Sequence, residues 1–125
     1  MPPVRIVLVE DNEVFRDALE LLLGMRGDLE IVASVGDGIA AVEAAKEHRP
    51  DVVLMDYRMP ALDGIQATAQ IVEQVPEVAV VALTASADAA EREALVEAGA
   101  VACLMKDQEL DVIVATILQA ATVAG

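Results

Sequence analysis

Five short aliphatic runs, recurring at nearly even intervals with helical periodicity between them, constrain this chain more than any other feature. They are Val4–Val9, Leu29–Val35, Asp51–Met55, Val78–Leu83 and Val101–Met105. Each has the length of a strand and is rich in β-branched residues. After the first run, Phe15, Ala18, Leu19, Leu22 and Leu23 recur at offsets of three, four, seven and eight, and after the fifth Leu110, Ile113, Val114, Ile117 and Leu118 repeat the pattern. Those offsets line one face of a helix.

Local punctuation agrees with that division. Asn12 is placed to cap the first helix, and Gly24 and Gly27 to end it. Asp88 with Glu91 three residues on fits a capping box for the fourth helix. Pro50, Pro76 and Gly99 separate the second, third and fourth helices from the strands that follow. Five consecutive βα units imply parallel strands joined by right-handed crossovers, hence a three-layer α/β/α doubly wound sandwich. The expected strand order is 2-1-3-4-5. Its topological switch point lies between strands one and three, where ligands bind beyond the carboxyl ends of the strands.

The totals fit such a sandwich. A chain of 125 residues, 56% hydrophobic, 2% aromatic and without Trp, makes one domain with an aliphatic interior, as parallel strands covered on both faces require. The 22 acidic against 8 basic residues give a net charge of −14, which repels nucleic acid and anionic membranes. A lone cysteine cannot form an internal disulfide, and Met1-Pro2-Pro3-Val4-Arg5 does not begin a signal peptide. No apolar run approaches the roughly 20 residues of a membrane span. The expected location is the cytoplasm.

The switch point focuses attention on the residues after Val9 and Met55. Glu10-Asp11 ends the first strand and Asp56 the third, so three carboxylates from distant parts of the chain converge. Glu10 and Asp11 alone could simply favour the start of the first helix. With Asp56 beside them, mutual repulsion calls for a cation, and a hard divalent ion with oxygen ligands, magnesium first and manganese as an alternative, is the simplest remedy. Thr84 after the fourth strand and Lys106 after the fifth reach the same edge, where a hydroxyl and an ammonium could hold phosphoryl oxygens. Singly, each has an ordinary reading as a turn residue or a snorkelling lysine.

The stretches Val9-Glu10-Asp11-Asn12, Asp51 through Pro60, Leu62-Asp63-Gly64, Ala82-Leu83-Thr84-Ala85 and Gly99-Ala100 through Lys106-Asp107 closely resemble receiver domains of two-component response regulators. The likeness covers essentially the whole chain. Glu-Asp-Asn, Arg-Met-Pro, Gly-Ile-Gln-Ala-Thr and Lys-Asp in place of Lys-Pro are similar to the NarL/LuxR-type subfamily, whose members usually carry a helix-turn-helix downstream. A flavodoxin-like (βα)5 receiver fold over residues 1–125, cut from a longer regulator, is therefore expected. The resemblance implies that Asp56 is the phosphoacceptor, Asp11 a direct metal ligand, Glu10 a ligand through water and the Arg58 carbonyl another ligand. It further implies that Thr84 and Lys106 bind the phosphoryl group, that a small Ala85 keeps the approach open, and that a sensor histidine kinase is the phosphoryl donor. Homodimerisation on activation, over an Ala-rich fifth helix (Ala115, Ala120, Ala121, Ala124), is expected by the same analogy.

One departure stands out. Cys103 occupies the position where most receivers carry the aromatic ring that swings inward on activation, and the expectation is a small core hydrophobe in its place, with phosphorylation intact and a muted output change. His48 reads as a favourable charge at a helix end, and Tyr57 and Met59 as shielding for the loop. Three alternatives compete with the switch. A haloacid-dehalogenase-type aspartyl phosphatase would need a second Asp where Arg58 stands, a flavodoxin would need aromatics, and a phosphorylation-independent pseudo-receiver would not need the acidic set.

Overall fold

The computed structural model describes residues 2–56, 63–84 and 88–124. Its elements alternate as β1 (Val4–Val9), α1 (Glu13–Gly24), β2 (Leu29–Val35), α2 (Gly38–His48), β3 (Val52–Asp56), α3 (Gly64–Gln74), β4 (Ala79–Thr84), α4 (Ala89–Ala98), β5 (Ala102–Met105) and α5 (Leu110–Ala124). All strand pairs are parallel, and the order is β2-β1-β3-β4-β5, as the repeating βα pattern requires. Two strands extend past their aliphatic runs at the carboxyl edge. Asp56 and Thr84 are the last residues of β3 and β4 rather than the first residues beyond them.

Because successive side chains alternate across a strand, the sheet splits the interior into two layers. Val7, Val9, Val53, Met55, Val80 and Ala82 face α2, α3 and α4, and pack on Ala41, Ala45, Ala67, Ile71 and Leu95. Ile6, Leu8, Leu54, Val81 and Leu83 face the other way, onto Leu19 and Leu23 of α1 and Ile113, Val114 and Ile117 of α5. The central strands β3 and β4 are buried throughout, whereas β5 at the edge is only half-buried. Cys103 sits on that edge strand, half-buried against the first layer. Burial raises its thiol pKa while Arg92 opposes the rise, so the thiol is neutral near pH 7.

The Asn12 cap is where the sequence placed it, and two further aspartates cap α2 and α3 in the same way. Asn12 accepts the Phe15 N–H at 3.0 Å, Asp37 that of Ala40 at 2.8 Å and Asp63 that of Gln66 at 2.9 Å. Asp88 accepts from Ala90 at 2.8 Å, one residue earlier than a capping box would place the bond. Gly99 ends α4 with φ 119°, and a Cβ there would lie 2.7 Å from a methyl of Val72, so both conformation and space require glycine. α1 ends at Gly24 as expected, but not through a left-handed glycine. Met25 follows Gly24 in right-handed geometry, and neither Gly24 nor Gly27 takes a positive φ.

Two helix faces also differ from the periodic pattern. Ala18 and Leu22 are exposed, and only Leu19 and Leu23 of α1 are fully buried, because the apolar residues of this helix outnumber the positions that can face the sheet. On α5, Ala120 is 4% exposed and Ala121 packs beside it on the second layer, so these alanines fill the core instead of forming a shallow outer surface. Ala115 is exposed, and the side chain of Ala124 lies outside the described residues. Among the described residues no helix is long and apolar enough to cross a membrane.

Candidate functional site

Pairing of β1 with both β2 and β3 brings Val9 level with Val35 and with Met55, so the chain leaving β1 rises next to the end of β3. Glu10 continues the ladder by donating its N–H to the Val35 carbonyl at 3.0 Å. Its side chain turns inward and is 1% exposed, beside Asp56 at 3%. Asp11 lies on the outer, exposed side. One carboxylate oxygen from each of Glu10, Asp11 and Asp56 lies within 4.8 Å of the others, and no second such group of acidic, His or Cys side chains exists among the described residues.

Among the described residues a single ammonium enters this cluster. Lys106 Nζ is 2.7 Å from Glu10 Oε1 and 3.2 Å from Asp56 Oδ1. Its backbone N–H donates to the Thr84 carbonyl at 2.8 Å, which ties the end of β4 to the residue after β5. Thr84 itself is 2% exposed. The Lys106 stem also places Nζ 5.0 Å from the centroid of the Phe15 ring, a cation–π contact with α1. Phe15 thus serves the site as well as the core, to which the helical pattern alone assigned it.

Among the described residues, three carboxylates against one ammonium crowd the pocket with negative charge, and Asp56 bears the consequence. Burial, then Glu10, then Asp11 push its carboxyl up to about 7, with Lys106 working against the rise. Partial burial pushes Asp11 the same way but is outweighed by its hydrogen bonds with Asp56 and Glu10 and by Lys106, so its carboxyl falls below the usual range. For Lys106, desolvation is outweighed by the two carboxylates it touches, and its ammonium is held more firmly than usual. A proton on Asp56 therefore relieves the repulsion when no cation is present. A cation would relieve it better.

The donor set fits a hard divalent ion. It offers carboxylate oxygens only, at an edge open through Asp11, with neither the thiolate nor the imidazole that zinc sites favour. The Arg58 carbonyl expected to join these ligands, and the loop residues Tyr57, Met59, Pro60, Leu62 and Ala85, lie outside the described residues. His48 ends α2, with its carbonyl accepting from Arg5 Nη1 at 2.9 Å, at the opposite edge of the sheet.

One residue of the site went unread in the sequence. Arg16 Nη1 donates to the Glu10 carbonyl at 3.0 Å from one turn inside α1. The available signal was slight: Arg16 is the sole basic residue of an otherwise acidic and apolar helix.

Comparison with known proteins is consistent across sequence and structure. Residues 6–118 match the response regulator receiver domain family. The transcriptional regulatory protein LnrK of Bacillus subtilis is 37% identical over 115 residues, which cover 92% of this chain and 52% of LnrK. The chain spans about half the length of the curated relatives it matches. Among solved structures, the signal receiver domain of NarL from Mycobacterium tuberculosis superposes with a TM-score of 0.92 at 34% identity, covering 98% of each chain. The receiver domain of the sensor histidine kinase PA1611 from Pseudomonas aeruginosa, 34% identical with a TM-score of 0.81 over 96% of this chain and 98% of its own, holds a magnesium ion in its active-site cleft.

Proposed function

The chain belongs to the response regulator receiver domain family, and from that premise we propose that it accepts a phosphoryl group on Asp56 from a sensor histidine kinase. The observation that carries this reading is the buried Asp56 carboxylate set between two further carboxylates and the Lys106 ammonium at the mouth of the sheet. An oxygen of Asp56 attacks phosphorus in line, the bond to the imidazole nitrogen of the donor breaks, and the electron pair leaves with the imidazole to give an acyl phosphate.

The surrounding residues have separable tasks. Glu10 and Asp11, with Asp56 and the Arg58 carbonyl, would hold magnesium, or manganese in its stead, and the bound ion would supply positive charge to the phosphoryl oxygens. Lys106 adds a second positive group from the β5 side, already placed by its contact with Asp56. Thr84, on the strand next to β3, would turn its hydroxyl to the new phosphoryl group. Phe15 narrows the volume open to Lys106 and keeps its ammonium among the acids.

In this role the domain is a phosphoacceptor and switch whose chemistry is performed on itself. Transcription control through a fused or partner DNA-binding domain is the output that fits its relationship to LnrK. The cytoplasm is the compartment that suits such a regulator. A homodimer formed on activation would use a surface other than Ala120 and Ala121, which the core occupies.

Intact mass after incubation with acetyl phosphate and magnesium tests the proposal. One phosphoryl mass gained by the wild type, and lost in Asp56→Ala or with a chelator, is the expected result. No gain in the wild type would leave a phosphorylation-independent pseudo-receiver as the better description. Release of inorganic phosphate from unrelated phosphomonoesters would instead favour the aspartyl phosphatase.

A further inference from the structure

The geometry points to Arg16 as a positioning residue for the Glu10-Asp11 pair, admitted to its place by Gly36. The inference rests on the magnesium-binding reading of the acidic cluster and adds to it two residues that touch none of the acidic oxygens in that cluster.

Glu10 is fixed at both ends of its backbone. Its N–H is held by the Val35 carbonyl at 3.0 Å and its carbonyl by Arg16 Nη1 at 3.0 Å, while Glu10 Oε2 accepts the Asn12 N–H at 3.1 Å. The Glu10 carbonyl belongs to the peptide unit that leads into Asp11. Planarity of that unit means that fixing the carbonyl also fixes the direction in which Asp11 leaves β1. Asp11 is exposed and lacks the surrounding packing that orients Glu10 and Asp56, so beyond its contacts with those two carboxyls the peptide plane is what aims it.

Arg16 has a rival partner in Glu13, but that contact is 4.0 Å long and Glu13 is 83% exposed, which makes it a weak surface pair. The guanidinium instead lies over Gly36, the residue just after β2. A Cβ built on Gly36 would come within 2.8 Å of Arg16 Nη1, whereas the next atom, the Glu10 carbonyl oxygen, would be 3.8 Å away. Gly36 has no positive φ, so its backbone conformation alone does not demand glycine. What its missing side chain provides is room for the guanidinium. The Arg16 tip is the movable end of a long side chain, so Gly36→Ala displaces it at small cost to the fold.

Isothermal titration of the chain with magnesium chloride, beside thermal unfolding in EDTA, separates positioning from general stability. Arg16→Met and Gly36→Ala are each expected to raise the magnesium dissociation constant about tenfold, the loss typical when a group that orients a metal ligand is removed. Arg16→Lys keeps one donor and stays within about threefold of the wild type. The decisive variant is Gly36→Ala combined with Arg16→Met. If Gly36 acts by making room for Arg16, the double variant binds no more weakly than Arg16→Met alone.

Lowered thermal midpoints with wild-type magnesium affinity would overturn the positioning role and leave Arg16 a structural residue. Additive losses in the double variant would overturn the part assigned to Gly36. Failure of the wild type itself to bind magnesium would remove the site reading, and this inference with it.

Discussion

The two ends of the central strands handle charge in opposite ways. At the amino end, Asp51 accepts the Arg5 N–H at 2.9 Å, the Arg5 guanidinium donates to the carbonyls of His48 and Arg49, and Arg49 pairs with Glu77. Acids and bases are matched there, and most of these groups are exposed. At the carboxyl end, among the described residues, Glu10 and Asp56 are buried with Asp11 beside them and Lys106 against Glu10 and Asp56. The first end is electrostatically satisfied and needs nothing further. The second gathers like charges that a proton or a cation would relieve, and crowding of that kind is what marks a site for chemistry.

Substitutions at the two ends should therefore give effects of different size. The largest is expected for Lys106→Met in metal-free protein. It removes the ammonium that Glu10 and Asp56 share and should lower unfolding free energy by roughly 3 kcal/mol in urea titrations with EDTA. Arg49→Ala at the other end should leave the urea midpoint unchanged within error, because its pair with Glu77 is exposed. Equal losses from the two would erase the contrast.

The next effect has the opposite sign. Asp56→Asn removes one of the crowded charges and should stabilise the metal-free protein at pH 8 by about 1–3 kcal/mol, even though it removes the group proposed to do the chemistry. The pH dependence sharpens this. Asp56 has an ordinary carboxylate pKa when unfolded and about 7 when folded, so between about pH 4 and pH 7 the folded state binds the extra proton. Stability from this group is greatest at the acid end of that window and is lost as pH rises through 7. Asp11, held below its usual range, works in the other sense at lower pH. Unfolding curves at several pH values should show the advantage of Asp56→Asn growing from pH 5 to about pH 7 and levelling off by pH 8.

A smaller effect concerns Cys103, at the edge of the sheet and away from either end. With its thiol pKa raised by burial, alkylation by iodoacetamide at pH 7 should run several-fold slower than for a free thiol, and rapid labelling would contradict its packing against the core.

Strand order and the meeting of Glu10, Asp11 and Asp56 were legible in the sequence, because both follow from alternating periods and from a topological rule that admits few arrangements. Asn12, Pro50, Pro76 and Gly99 act locally, and their roles were readable for that reason. Ala18, Leu22, Ala120 and Ala121 were not. On α1 the run Leu21-Leu22-Leu23 offers more apolar surface than one face can bury, and on α5 the alanines are small enough to lie inside or outside; tertiary packing makes both choices. Arg16, Gly36 and the ring contact of Phe15 were invisible because each depends on a distance between elements that periodicity does not carry.

The unfolding temperature measured with and without magnesium at pH 8 bears most directly on the claim that the carboxyl edge is an incomplete charge cluster. At a hundredfold excess of magnesium over its dissociation constant, binding should add about 2.7 kcal/mol, a rise of several degrees, in the wild type and in Arg49→Ala. The rise should largely vanish in Asp56→Asn and Asp11→Asn. An unchanged wild-type midpoint, or an equal rise in all four proteins, would contradict the account.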